Sequence, residues 1–93
     1  MKTYIAGKIA GNPHYKEQFR EAEQELIKRG CTVMNPSYMP EGFEQLEYYH
    51  VCMAMIDVCE SVYFLPNWID SKGAHLEYGY AMAKGKKIVW GGR

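Results

Sequence analysis

The chain has 93 residues, of which 47% are hydrophobic and 24% charged. These proportions describe one small globular domain (1–93) with a modest core, not a disordered segment. Eleven basic residues balance eleven acidic ones, so there is no electrostatic footprint for duplex nucleic acid. The expected partners are small molecules, proteins or further copies of the chain.

Cys31, Cys52 and Cys59 are odd in number and show no paired spacing. No apolar run reaches the roughly 20 residues that a bilayer span requires. Met1–Gly7 does not read as a signal peptide, because it is short and is followed at once by Lys8. A reducing cytoplasm with free thiols is the expected setting, with no membrane partner. Eight tyrosines and two tryptophans favour stacking on a flat ligand or a subunit contact.

Thr3–Ala6 is a short β-prone run. Gly7–Pro13 is a loop punctuated by two glycines and a proline. From His14 to Arg29, the residues Tyr15, Phe19, Ala22 and Leu26 fall on one helical stripe, and Gly30 ends the helix. Cys31–Met34 is a second strand, followed by the turn residues Asn35-Pro36 and Pro40-Glu41-Gly42. A helix over Glu44–Cys59 carries two apolar stripes, Leu46/Tyr49/Met53/Ile56 and Tyr48/Cys52/Met55/Cys59. One stripe faces a sheet, and the second predicts a homodimer or higher homo-oligomer built through this helix. Ser61–Leu65 is apolar throughout, as a strand buried on both faces requires. Pro66–Asp70 is a loop, a third helix runs from Ser71 to Gly85, and Lys87–Trp90 is the last strand.

The alternation β-α-β-α-β-α-β predicts an α/β fold, a three-layer sandwich with a four-stranded parallel sheet. Right-handed crossovers give the strand order 2-1-3-4. Ligands in such sheets bind beyond the carboxyl ends of the strands, where the order reverses. That point lies between strands 1 and 3, where the Gly7–Pro13 loop, the Pro66–Asp70 loop and the start of the Ser71 helix converge.

The stretch Ser71-Lys72-Gly73-Ala74-His75-Leu76-Glu77-Tyr78-Gly79-Tyr80-Ala81 carries most of the chemical information. Ser71 is an N-cap, the free N–H groups of the first turn favour an anion, and Gly73 permits close approach to the backbone. Glu77 has Gly73, Ala74, Tyr80 and Ala81 at helical contact spacing, none of them a cation. It is either a solvated side chain or a carboxylate held for chemistry. Gly7 and Gly11 do not complete a P-loop or a dinucleotide fingerprint, although backbone N–H groups and Lys8 could line a phosphate there. His75-x-Glu77 matches part of the zinc-deaminase signature, but no cysteine follows Cys59 to supply the remaining ligands. No metal and no cofactor are expected. Trp68 is either a lid over the core or a platform for a nucleobase.

Three blocks, Tyr4–Gly11, Phe64–Trp68 and Ser71–Ala81, together resemble the nucleoside 2-deoxyribosyltransferase superfamily, and within it the small DUF4406 branch. The resemblance implies a flavodoxin-like fold and cleavage or transfer at the N-glycosidic bond of a nucleoside or nucleotide. It implies Glu77 as nucleophile toward the anomeric carbon and Tyr4 as its orienter. Lys8, Gly11 and Ser71 match the phosphate-holding positions, with Gly7 and Gly73 beside them and Trp68 stacking on the base. The family also places an aspartate on the helix before strand 3, where it contacts or protonates the base. In this chain the only acid of the matching stretch is Asp57, with Glu60 next along. Ala10 replaces a loop arginine. The alternative is a non-catalytic module that sequesters a nucleotide-derived small molecule.

Overall fold

A computed structural model describes residues 1–92. The strands are β1 (Lys2–Ala6), β2 (Thr32–Met34), β3 (Ser61–Phe64) and β4 (Lys87–Trp90). They form one sheet in the order β2-β1-β3-β4, with every neighbouring pair parallel. The helices are α1 (Tyr15–Lys28), α2 (Gln45–Asp57) and α3 (Lys72–Ala83). The expected sheet and topology are therefore the observed ones, with helix ends drawn in by one or two residues. Pro36–Tyr38 and Pro66–Asp70, expected as loops, are short 3-10 turns, each opened by a proline whose fixed φ suits a first helical position.

Residue alternation along the two central strands builds the three layers. Tyr4, Ala6, Val62 and Phe64 pack with Cys52, Ile56 and Cys59 of the α2 segment and Ala81 of α3. The alternate residues Ile5, Tyr63 and Leu65 pack with Phe19, Ala22 and Leu26 of α1. Thr3 and Ser61 share a buried 2.9 Å hydrogen bond between their hydroxyls, so these polar side chains cost little at the centre of the sheet. Gly30 adopts φ +88° and ends α1, with Cys31 N–H donating back to the Leu26 carbonyl.

The two apolar stripes expected on α2 are redistributed. Cys52 and Ile56 are buried, whereas Leu46, Val51 and Val58 are exposed, Leu46 at 78%. Of these outward apolar residues only Leu46 belongs to either expected stripe, and Val51 and Val58 lie outside both. Among the described residues, no helix is long and apolar enough to cross a membrane, and no cluster of three or more His, Cys, Asp or Glu could hold a metal ion.

Candidate active site

Beyond the carboxyl ends of the strands, bounded by the connections that follow β1, β2 and β3, lies a cleft of about 620 Å³. One rim is the backbone Gly7–Ala10 that leaves β1, and another is Asp70–Ala74, the entry to α3. The remaining walls are Tyr15 and Phe19 of α1, the segment around Pro36–Glu41 and the α2 residues Gln45, Tyr48, Tyr49 and Cys52. Tyr4 and Glu77 line its floor.

Glu77 is 7% exposed and Tyr4 fully buried. The helix runs back from the cleft toward the sheet, so its second turn reaches the level of Tyr4. The Tyr4 hydroxyl donates a 2.7 Å hydrogen bond to Glu77 Oε2. Burial pushes the Glu77 carboxyl up to about 7, while hydrogen bonds from Tyr4 and Cys52 pull the other way. Burial, followed by the negative charge of Glu77, holds the Tyr4 hydroxyl well above its ordinary range. The same two causes push the Cys52 thiol up to about 12. Tyr4 and Cys52 therefore remain neutral, and Glu77 is the one of the three whose charge changes near neutrality.

Each rim is held by its own device. Ser71 caps α3, its hydroxyl accepting from Ala74 N–H at 3.1 Å. Gly7 is packed so closely that a Cβ there would lie 2.8 Å from Leu65 Cδ1 and 3.2 Å from Asn67 Oδ1. That approach lets Lys8 N–H donate to Asn67 Oδ1 at 3.1 Å. Gln18 Oε1 then accepts from both Asn67 Nδ2, at 3.1 Å, and Asn12 Nδ2, at 2.8 Å. Lys8 Nζ reaches across to the Asp70 carbonyl at 3.1 Å, which joins the two rims. Gly73 faces Tyr49, whose Cε1 would be 3.3 Å from an added Cβ.

The structure brings together six of the residues expected from sequence: Tyr4, Gly7, Lys8, Ser71, Gly73 and Glu77 all line the cleft. Three others lie elsewhere. Gly11 sits in an exposed turn at φ +73°, with nothing within 4 Å of an added Cβ. Trp68 packs behind α3, with ring centroids 5.4 Å from Phe64, 5.2 Å from Trp90 and 4.6 Å from His75, on which it stacks. Of the two sequence readings of Trp68, this placement is packing against the core. Asp57 ends α2, which runs antiparallel to the strands and so terminates away from the cleft. Its carboxylate accepts from Tyr80 OH at 2.6 Å. Glu60 is likewise at the amino end of β3, where its carboxylate accepts from Lys2 N–H at 2.7 Å.

Sequence reasoning missed the whole α2 wall. Its signal was present in Gln45, Tyr48/Tyr49 and Cys52, which recur at helical spacing with polar and aromatic heads. That stripe reads equally well as a subunit contact.

The fold is similar to that of a 2-desoxiribosyltransferase from Leishmania mexicana, with a TM-score of 0.74 and 21% sequence identity. The match covers 96% of this chain and 62% of that chain, so the present domain spans less than two thirds of that protein's length. No curated protein matches. Residues 1–90, from the first strand through the last, match one family throughout, and the chain belongs to it: the domain of unknown function DUF4406.

Proposed function

We propose that this protein cleaves or transfers at the N-glycosidic bond of a nucleoside or nucleotide, with Glu77 as the nucleophile. The observation that carries this reading is the buried Tyr4–Glu77 pair on the floor of a cleft at the switch point of the sheet. The likeness of the fold to a protein described as a 2-desoxiribosyltransferase supports it.

In this mechanism the Glu77 carboxylate attacks the anomeric carbon as the carbon–nitrogen bond breaks, and that bond's electron pair leaves with the base. The base takes up a proton from solvent water, which leaves hydroxide to be neutralised by the medium, and a covalent glycosyl-enzyme remains. Water then releases the sugar, or a second base accepts it. The developing oxocarbenium charge is stabilised by the adjacent carboxylate in a site shielded from bulk water. Lys8, Ser71 and the free N–H groups at the start of α3 form the rim suited to an anionic group on the sugar. The test is incubation with deoxynucleosides and their 5′-monophosphates, followed by chromatography for free base. Base release that disappears in Glu77→Ala supports the mechanism. No release from any substrate overturns it.

A second reading, binding without cleavage, draws on one observation. The α2 residues that line the cleft are Gln45, Tyr48, Tyr49 and Cys52, none of them a carboxylate. No acid from this helix stands beside Glu77 to protonate a leaving base. Recovery of intact nucleotide from the denatured protein, with no free base, favours this reading over the first.

A further inference from the structure

Among the described residues, the buried polar or charged ones are Thr3, Asn35, Ser37, Ser61 and Glu77. All but Ser37 have side-chain partners. Thr3 and Ser61 bond to each other, and Glu77 accepts from Tyr4. Asn35 donates to the Phe19 carbonyl at 3.4 Å and to Glu23 Oε1 at 2.8 Å, and accepts from Ser37 N–H at 2.9 Å. Ser37 is 5% exposed. It is tied through its backbone N–H, and among the described residues its hydroxyl has no partner. No enclosed side-chain oxygen or nitrogen among those residues lacks a hydrogen bond, so the free Ser37 hydroxyl is not sealed in. The space that Ser37 borders is the cleft. A hydroxyl so nearly enclosed is normally bonded within the protein. One whose opening is on a cleft is placed to bond what fills it.

The strand order β2-β1-β3 sets which part of a ligand this hydroxyl meets. Tyr4, on β1, and Glu77 mark the middle. The segment after β3 leads to Ser71 and the start of α3 on one side, and Lys8 Nζ leans that way to the Asp70 carbonyl at 3.1 Å. The Pro36–Tyr38 turn follows β2 and lies on the other side. A sugar with its anomeric carbon at Glu77 and an anionic group at the Lys8–Ser71 rim turns its base toward that turn. The cleft there has the aromatic and aliphatic surface of Tyr15, Phe19, Pro36, Met39 and Pro40, which suits a flat ring. We propose that Ser37 is a specificity-determining residue, whose hydroxyl bonds the polar edge of the nucleobase. A hydroxyl both donates and accepts, so it can meet a ring nitrogen, a carbonyl or an amino group. The turn that carries it is fastened from behind. Glu23 of α1 accepts from Asn35 and from the Tyr38 hydroxyl, on either side of Ser37. The hydroxyl therefore needs little ordering when a ligand arrives.

The inference rests on the proposed nucleoside or nucleotide ligand, so its test measures binding apart from cleavage. Glu77→Gln, which lacks the nucleophile, is the parent, and Ser37→Ala is added to it. Both proteins are titrated calorimetrically with the 2′-deoxynucleoside 5′-monophosphates of the common bases and with base-free 2-deoxyribose 5-phosphate. Alanine fits the space of serine and keeps the backbone bond to Asn35, so the double variant is expected to melt no lower than its parent. It is expected to bind at least one nucleotide about three- to tenfold more weakly, the effect of one lost neutral hydrogen bond. Its affinity for the sugar phosphate is expected to be unchanged. Equal nucleotide affinity in the two proteins overturns the proposal. So does an equal loss for nucleotide and sugar phosphate, which would put the hydroxyl on the sugar. No nucleotide bound by the parent removes both this proposal and the N-glycosidase reading. Nucleotide bound by the parent, with no base released by the wild-type protein, removes the cleavage reading alone and leaves the Ser37 comparison decisive.

Discussion

The Tyr4 hydroxyl and Glu77 Oε2 meet at 2.7 Å across 73 residues of sequence. One group comes from the first strand and the other from the last helix, and both are shut away from solvent. A contact of this kind sets the charge state of the acid, and its removal has a direction. In Tyr4→Phe the ring keeps its packing and the carboxylate loses a donor. A hydrogen bond to a charged group contributes about 1.5–3 kcal/mol, so the Glu77 midpoint is expected to rise by about one to two pH units. In a pH–rate profile the ascending limb, near pH 7 in wild type, moves to higher pH, and the rate at pH 7 falls by about five- to fiftyfold. A profile unchanged in position would show that this hydrogen bond does not govern ionisation.

The same carboxyl makes stability depend on pH. Its value in the fold, about 7, is above the ordinary 4.5, so the fold prefers the protonated acid. That preference is fully present below about pH 4.5 and is lost as pH rises through about 7, leaving a buried carboxylate that costs about 3 kcal/mol. Glu77→Gln removes the charge and keeps an acceptor for Tyr4. Its melting temperature at pH 8 is expected to exceed that of wild type by on the order of 10 °C, with the two converging near pH 4. Thermal melts followed by circular dichroism across this range check it, and parallel curves would refute it.

Gly73 separates binding from stability. Alanine at this half-buried helical position favours the helix by up to about 1 kcal/mol, but its Cβ would press on Tyr49 Cε1 at 3.3 Å. Gly73→Ala is therefore expected to melt no lower than wild type while weakening ligand binding several-fold, because the ring moves into the cleft. Calorimetric titration with a cleft ligand, run beside thermal melts, distinguishes this from general disruption.

Trp68 should do the reverse. Its ring contacts Phe64, Tyr78, Trp90 and His75, and it does not line the cleft. Trp68→Ala is expected to cost about 2–3 kcal/mol of stability with little change in KM. Urea unfolding measures the first quantity and steady-state kinetics the second. A large rise in KM with stability intact would place the ring on the substrate.

The sheet was legible in the sequence because its signals are local. Four short apolar runs, broken by glycine and proline and separated by helical periods, leave one parallel topology once crossover handedness is imposed. Lys8 and Ser71 were legible because they sit on segments that the switch-point rule brings together, whereas Tyr4 and the role of Glu77 came from the family resemblance. Cys52 was not, because nothing in its own neighbourhood distinguishes a cleft-facing thiol from a core thiol. The distinction is made by Glu77, 25 positions later and on another helix. Asp57 was misplaced for a related reason: the antiparallel run of α2 carries its C-terminal acid to the end of the sheet away from the cleft. The loop position of Trp68 suits a lid over the core or a ligand platform alike, and it is the β4 residue Trp90 and Tyr78 of α3 that draw it into an aromatic cluster.

Beyond Tyr15 and Phe19, which line the cleft, the amide of Gln18 gives α1 a second part in the site. One carbonyl oxygen receives an N–H from Asn12 and another from Asn67, so the chain segments leaving β1 and β3 are anchored at a common point. Helix α1 contributes none of the expected catalytic groups, yet a change at Gln18 frees two side-chain amides at once and unlatches the loop from which Lys8 extends. A substitution at Gln18 can thus alter how the protein holds its ligand without touching Tyr4 or Glu77.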